Sequence, residues 1–278
     1  MREQAEKRWI FSLGAVAQLQ HIYLQEQETL LIHAEDLKDY YHCFRVSEQR
    51  TARNALKMKV KPEEVRHLSC YEESMEAEKF LVPSLATLAM GDINAVAFGQ
   101  TAHLAVVLRS GALQLRDFIG LRARPSRRAI VAGLMIDDFV LFEKVRADEL
   151  RKGGEGWRSP GAEIISKVRE AYCKAGLPRH EGKAVEQQTE AECWGIEIDG
   201  TSGIARPNLK RVIPMANIIV QVVQLGYISV ALLEVISGAL CSIFSVRRRL
   251  MSILHEVYCA QRGRERHEIC EDVEAAQG

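Results

Sequence analysis

Residues 129–142 read AIVAGLMIDDFVLF: an apolar run from Ala129 to Ile136 is broken by Asp137-Asp138 and resumes from Phe139 to Phe142. Apolar segments of this length on either side of two turn-forming residues predict a strand, an acidic turn and a second strand. Another short apolar run, Thr29 to Ala34 (TLLIHA), ends at the acidic pair Glu35-Asp36. Two apolar strands thus each deliver carboxylates at an end or a sharp turn. Such placement is costly unless cations share the site. Three carboxylates can hold a pair of divalent ions that position a triphosphate and activate a hydroxyl. An Asp-Asp pair taken alone is more often a strand-end turn or a helix cap.

Working outward, residues 1 to 26 read as a helix of mixed polarity, and Ser47 to Lys79 as a polar surface excursion broken at Pro62. Asp92 is placed to cap a helix from about Ile93 to Arg109, stopped at Gly111. Arg122, Arg124, Arg127 and Arg128 form a basic cluster before the strand at Ala129. A Gly-rich loop, 151–160 (RKGGEGWRSP), precedes a helix from Gly161 to Lys174 closed by Gly176. Cys193 to Ile198, a turn at Asp199-Gly200, and Gly203 to Arg206 read as a hairpin. Pro207 suits a first helical position, and two long helices follow, Asn208 to Leu225 and Ser229 to about Gln261, before a polar tail.

The chain has 278 residues, 47% apolar and 27% charged, enough for a sizeable core in one large or two small domains. Its 37 basic and 37 acidic residues cancel, so attraction to nucleic acid must come from local basic patches rather than bulk charge. The seven cysteines are widely spaced, with no Cys-x-x-Cys, which fits a reduced intracellular chain, cytoplasmic or nuclear. No export signal is recognisable at the start. Ile213 to Phe244 carries a single charge, Glu234, and is long enough to raise the question of a membrane span. Asn217, Gln221, Gln224 and Gly226-Tyr227 favour two packed, soluble helices with their apolar faces turned inward.

Several segments in order carry a resemblance to one family. DLKDYY at 36–41 resembles the first palm motif of the reverse transcriptases of retroviruses and retrotransposons. Leu88-Ala89-Met90-Gly91 before a helix resembles the second, and Met135-Ile136-Asp137-Asp138 the family's Tyr-x-Asp-Asp hairpin. Ala175-Gly176-Leu177 with Lys183 is similar to the fourth motif, and Cys193-Trp194-Gly195 to the primer grip. The resemblance runs from about Leu30 to Arg206, and the two C-terminal helices fall where the family has its thumb.

The resemblance implies an α+β right-hand polymerase fold: palm with partial fingers over 1–190, primer-grip hairpin over 191–206, helical thumb over 207–262 and a polar tail over 263–278. It implies an RNA-directed DNA polymerase that uses two Mg²⁺ ions, for which Mn²⁺ can substitute, with a primed RNA or DNA template and deoxynucleoside triphosphates as partners and no membrane. Asp36, Asp137 and Asp138 would be the metal ligands, and Lys183 would neutralise or protonate the leaving pyrophosphate; alternatively Lys183 is a solvated lysine. Leu37, Asp39, Tyr40, Tyr41, Met90 and Gly91 would line the nucleotide. Tyr41 would clash with a 2′-hydroxyl, or else be an ordinary core aromatic. Arg247, Arg248 and Arg249 would contact duplex phosphates, or form a solvated helix face.

The sequence departs from the family pattern where Met90 stands for the usual Gln and Met135 for the usual Tyr. Only 35 residues precede Asp36, fewer than the family's fingers require. The expectation is therefore a polymerase lacking most of its fingers; the alternative is a non-catalytic remnant or an adapted nucleic-acid- or protein-binding module.

Overall fold

The structure, a computed structural model, describes residues 11–120, 127–154 and 156–270. A four-stranded antiparallel sheet forms its centre, built from β1 (Glu28–Asp36), β2 (Ile130–Met135), β3 (Asp138–Arg146) and β4 (Val185–Gln188) in the order β2-β3-β1-β4. Beside it stands a three-stranded sheet of β5 (Glu190–Cys193), β6 (Ile196–Asp199) and β7 (Ile204–Pro207). The helices are α1 (Val16–Leu19), α2 (Glu48–Arg53), α3 (Pro62–Val65), α4 (Ala95–Arg109), α5 (Ala147–Lys152), α6 (Pro160–Lys174), α7 (Leu209–Leu225), α8 (Val230–Phe244) and α9 (Leu254–Gln261). Ile228–Ser229 pairs with Ile269–Cys270 as a small two-stranded ribbon, β8 and β9, so part of the expected polar tail is paired.

β1 and β3 are buried along nearly their whole length, and apolar through their middles, because both of their faces are covered. The period of two along β3 sends Phe139 and Leu141 against Val107 of α4 and Ile165, Val168 and Tyr172 of α6. Val140 and Phe142 turn the other way, onto Ile196 and Ile198 of the small sheet and Val16 and Leu19 of α1. Burying a residue of this size on each face contributes about 1.5–3 kcal/mol. That double burial is why the sequence here reads as unbroken apolar runs rather than alternation.

Several element boundaries differ from the sequence reading. Among the described residues of the first 26, only Phe11, Ser12 and Val16–Leu19 are α-helical; residues 1–10 lie outside the description, as do Arg122 and Arg124. Helix α4 begins at Ala95 with Asn94 as its N-cap, and Asp92 instead accepts a hydrogen bond from the Asn94 N–H at 2.9 Å. The segment 193–198 is two strands, because Trp194 (φ +52°) and Gly195 (φ +76°) make a tight hairpin turn between β5 and β6. Pro207 closes β7 opposite Ile196, and the cap of α7 is Asn208, whose side chain accepts from the Lys210 N–H at 2.8 Å. Among residues 47–79 only Pro62 is buried, as a surface excursion requires.

The C-terminal helices depart most. Met215, Ile219 and Val222 of α7 meet Leu233 and Leu240 of α8 over a small core, but α7 has no buried residue. Ile213, Val220, Val223 and Leu225 are exposed, and so is Val235 of α8. The expected inward-facing hairpin forms only in part: two helices in contact cover one stripe each, and these helices carry further apolar residues outside that stripe. By length and composition Val230–Gln261 could cross a membrane. The α-helix ends at Phe244, however, and non-helical torsions at Arg247 (φ −124°, ψ 85°) interrupt the turns beyond it. Fifteen residues of α-helix reach about 22 Å, short of a hydrocarbon core of about 30 Å.

Candidate nucleotidyl-transfer site

The register of the central sheet sets the geometry. Asp36, the last residue of β1, lies opposite Asp138, the first of β3, while Met135 closes β2 opposite the same Asp138. Ile136 and Asp137 form the two-residue turn between β2 and β3, and the Leu37 N–H donates to the Asp137 carbonyl at 3.2 Å. The three carboxylates therefore stand at one end of the sheet. Burial, then Asp137 and Asp36, pushes the Asp138 carboxyl up to about 6; burial and Asp36 also raise Asp137. Lys183 Nζ lies 2.6 Å from Asp36 Oδ2, and this contact raises the ammonium above its ordinary value.

The turn is strained and held from beneath. Ile136 has φ +59°, a left-handed conformation that β-branched residues rarely adopt. Its N–H donates to Gln100 Oε1 at 2.8 Å, and its carbonyl accepts from His103 Nδ1 at 2.7 Å. The Tyr172 hydroxyl, 2.6 Å from His103 Nε2, completes a line from α6 through α4 to the turn. Burial lowers His103 to about 4, so the ring is neutral: Nδ1 donates and Nε2 accepts. Gln100 Nε2 donates in turn to the Ser12 carbonyl at 2.9 Å and the Leu134 carbonyl at 3.2 Å. Gln100 and His103 were not singled out from the sequence. Two polar residues on one face of AVAFGQTAHLAVVLR were the available signal.

Gly99 gives the first motif its approach to this turn. A Cβ at position 99 would stand 3.3–3.4 Å from ring carbons of Tyr40 and Tyr41 and from Ile136 Cγ2. Tyr40 is buried, donates to the Gly99 carbonyl at 2.7 Å and packs edge-on against Phe44. Tyr41 is half-buried, and burial, then Asp137, raises its hydroxyl above the ordinary value. Asp39 is left-handed at φ +50° and leads into the 3-10 turn Tyr40–Cys43. Leu37 is buried, whereas Met90 is 78% exposed beside Gly91 (φ +88°), which has open space around it. An Arg50–Asp92 ion pair ties the surface excursion to that loop.

Cys193, Trp194 and Gly195 lie at the turn of the β5–β6 hairpin, with the first two side chains directed inward. Cys193 is buried, and burial followed by Asp138 pushes its thiol up to about 12. The Trp194 ring lies against Gly14 and Gly133, neither of which could carry a Cβ without colliding with it. Its Nε1 is buried with no hydrogen-bond partner among the described residues. Exposed Arg247, Arg248 and Arg249 line a cavity of about 570 Å³ with Gln20 and His21. Among the described residues, no three His, Cys, Asp or Glu side chains are arranged to hold a metal ion as they stand.

Antiparallel sheet, flanking helices, acidic hairpin and accessory three-stranded sheet define a reverse-transcriptase-like fold, and solved structures agree. The foamy viral protease-reverse transcriptase in complex with RNA/DNA hybrid has a TM-score of 0.53 at 15% identity, covering 96% of this chain and 28% of that one. The dRH form of that protein with double-stranded DNA has a TM-score of 0.51 at 14% identity, covering 94% and 35%. The chain thus spans roughly a third of the length of these structures. No protein-family model and no curated protein matches the sequence.

Proposed function

We propose that this chain is a retroelement-type RNA-directed DNA polymerase that joins a deoxynucleotide to a primer 3′-hydroxyl, with a primed RNA or DNA template as partner. The observation that carries the reading is the cross-strand pair Asp36 and Asp138, with Asp137 and Lys183 beside it, at one end of the sheet in this fold. Residues 1–190 serve as palm with partial fingers, 191–206 as primer-grip hairpin and 207–262 as thumb; the protein works inside the cell, off the membrane.

Three carboxylates with one ammonium leave an excess of negative charge, which adds to burial in raising the Asp138 carboxyl. All-oxygen donors of this kind fit a hard divalent cation. Asp36, Asp137 and Asp138 would hold two Mg²⁺ ions, which supply Lewis-acid activation of the hydroxyl and the α-phosphate. Lys183 stands ready to neutralise or protonate the leaving pyrophosphate. Tyr41 excludes a 2′-hydroxyl, while Leu37, Asp39 and Tyr40 line the triphosphate through their backbone and Met90 and Gly91 flank the base. Arg247, Arg248 and Arg249 contact phosphates of the duplex.

Primer extension on RNA and DNA templates with Mg²⁺ tests the reading. Incorporation should fall at least about a thousand-fold in Asp137→Ala, consistent with loss of a metal ligand. Extension unaffected by that substitution would overturn it. The second reading, a non-catalytic nucleic-acid- or protein-binding relative, is favoured by the Lys183 ammonium seated on Asp36 and by exposed Met90, a side chain without the hydrogen-bonding amide of Gln. Salt-dependent duplex binding without extension would select it.

A further inference from the structure

Lys183 has a side chain 62% exposed and lies in a connection rather than in the sheet, yet its ammonium meets Asp36 at 2.6 Å. A flexible lysine keeps such a contact only where its backbone is fixed. The connection is tied to the chain around Asp36 by three polar links. The Lys38 N–H donates to the Pro178 carbonyl at 2.9 Å, and the His180 N–H donates to the Asp36 carbonyl at 2.8 Å. Between them Arg179, opposite Leu37 in an isolated bridge, donates from Nη1 to Glu35 Oε2 at 2.7 Å.

Glu35 has a fully buried carboxylate, and its other oxygen accepts from Arg169 of α6, which also pairs with Glu186 of β4. Alternation along β1 sends Glu35 to the face opposite Asp36. One buried carboxylate thus grips two arginines: Arg169 belongs to the helix layer, and Arg179 stands four residues before Lys183.

We infer that Arg179, anchored on Glu35, is the positioning residue that holds Lys183 over Asp36. It touches no reacting group and acts through the lysine. This rests on the nucleotidyl-transfer reading, but the tie itself belongs to the fold. Arg179→Met leaves Glu35 paired with Arg169, so the buried charge keeps a cation and the core can form.

Hydrogen exchange and single-turnover primer extension on the full chain test the inference together. In Arg179→Met, amides in 178–184 should exchange about ten-fold faster with β2 and β3 unchanged. The maximal incorporation rate should fall to about that of Lys183→Met, with apparent nucleotide affinity unaltered. The Arg179→Met/Lys183→Met double variant should be no slower than Lys183→Met alone, since coupled residues are not additive. Arg179→Lys should recover part of the rate by restoring the ion pair. Arg169→Met should lower stability, leaving the rate and the exchange of 178–184 as in the parent chain. Equal slowing by Arg169→Met and Arg179→Met, or multiplying effects of the Arg179 and Lys183 substitutions, would overturn it. If the parent chain extends no primer, the polymerase reading fails and exchange decides: protection of 178–184 lost only in Arg179→Met supports the tie, and unchanged protection overturns it.

Discussion

His103 Nδ1 lies 2.7 Å from the carbonyl oxygen of Ile136, the residue at which the acidic hairpin enters the left-handed region. A neutral, buried imidazole thereby holds the backbone that carries Asp137. Strain of this kind costs about 1–3 kcal/mol and persists only where the surroundings over-determine it. Here the surroundings are Gln100 on the N–H and His103 on the carbonyl.

Acid should release that hold. His103 is lowered from 6.5 to about 4 in the folded chain, so its contribution is fully present above pH 6.5 and is lost as the pH falls toward 4. The loss should amount to about 3 kcal/mol over that range. Because Asp138 contributes an opposite slope in both proteins, urea unfolding from pH 7 to pH 4 should differ between the parent chain and His103→Gln by this amount. An identical slope in both proteins would exclude His103 as its source.

Asp138 is expected to reduce stability where it serves chemistry. Its carboxyl is raised from 3.8 to about 6, so the folded state loses stability as pH rises through that interval. In EDTA at pH 7, Asp138→Asn should be more stable by about 1–3 kcal/mol, a range reduced for partial solvent screening. The gain should vanish at pH 4. The same variant should not extend primers; gain of stability with loss of activity is the usual trade at a functional site.

Trp194 and Gly133 can be tested as a pair. Gly133→Ala drives a methyl group into the indole and should cost about 1–3 kcal/mol. Trp194→Phe removes the colliding ring carbons, so the double variant should cost less than the two single losses summed. Additive losses in urea unfolding would mean that the ring does not lie on Gly133.

Sugar choice should follow Tyr41. If this half-buried ring stands under the sugar, Tyr41→Ala should raise incorporation of ribonucleotides relative to deoxyribonucleotides by about 10- to 100-fold, the equivalent of about 1.4–2.8 kcal/mol of relieved clash. Competition between the two nucleotides in primer extension measures it. Unchanged discrimination with retained activity would assign Tyr41 to packing alone.

The central strands and the acidic turn were legible in the chain itself. Covering a strand on both faces forces consecutive apolar residues, which 129–142 displays around its acidic pair; the turn itself falls at Ile136-Asp137, one residue earlier than the Asp137-Asp138 pair suggests, because Asp138 already pairs with Met135 and Asp36. The DLKDYY segment and the hairpin could be matched because their spacing is local. Which strand lies beside which was not written locally: only the β1–β3 register sets Asp36 against Asp138, and only the packing of α4 brings Gln100 and His103 under Ile136. Glu35 and Arg179 read as ordinary charges until burial pairs them, because an ion pair distant in sequence leaves no periodic trace. The C-terminal helices show the converse. Their apolar letters predicted burial, but one helix can cover only one stripe of another, and the tertiary structure left the remaining apolar surface of α7 and α8 exposed.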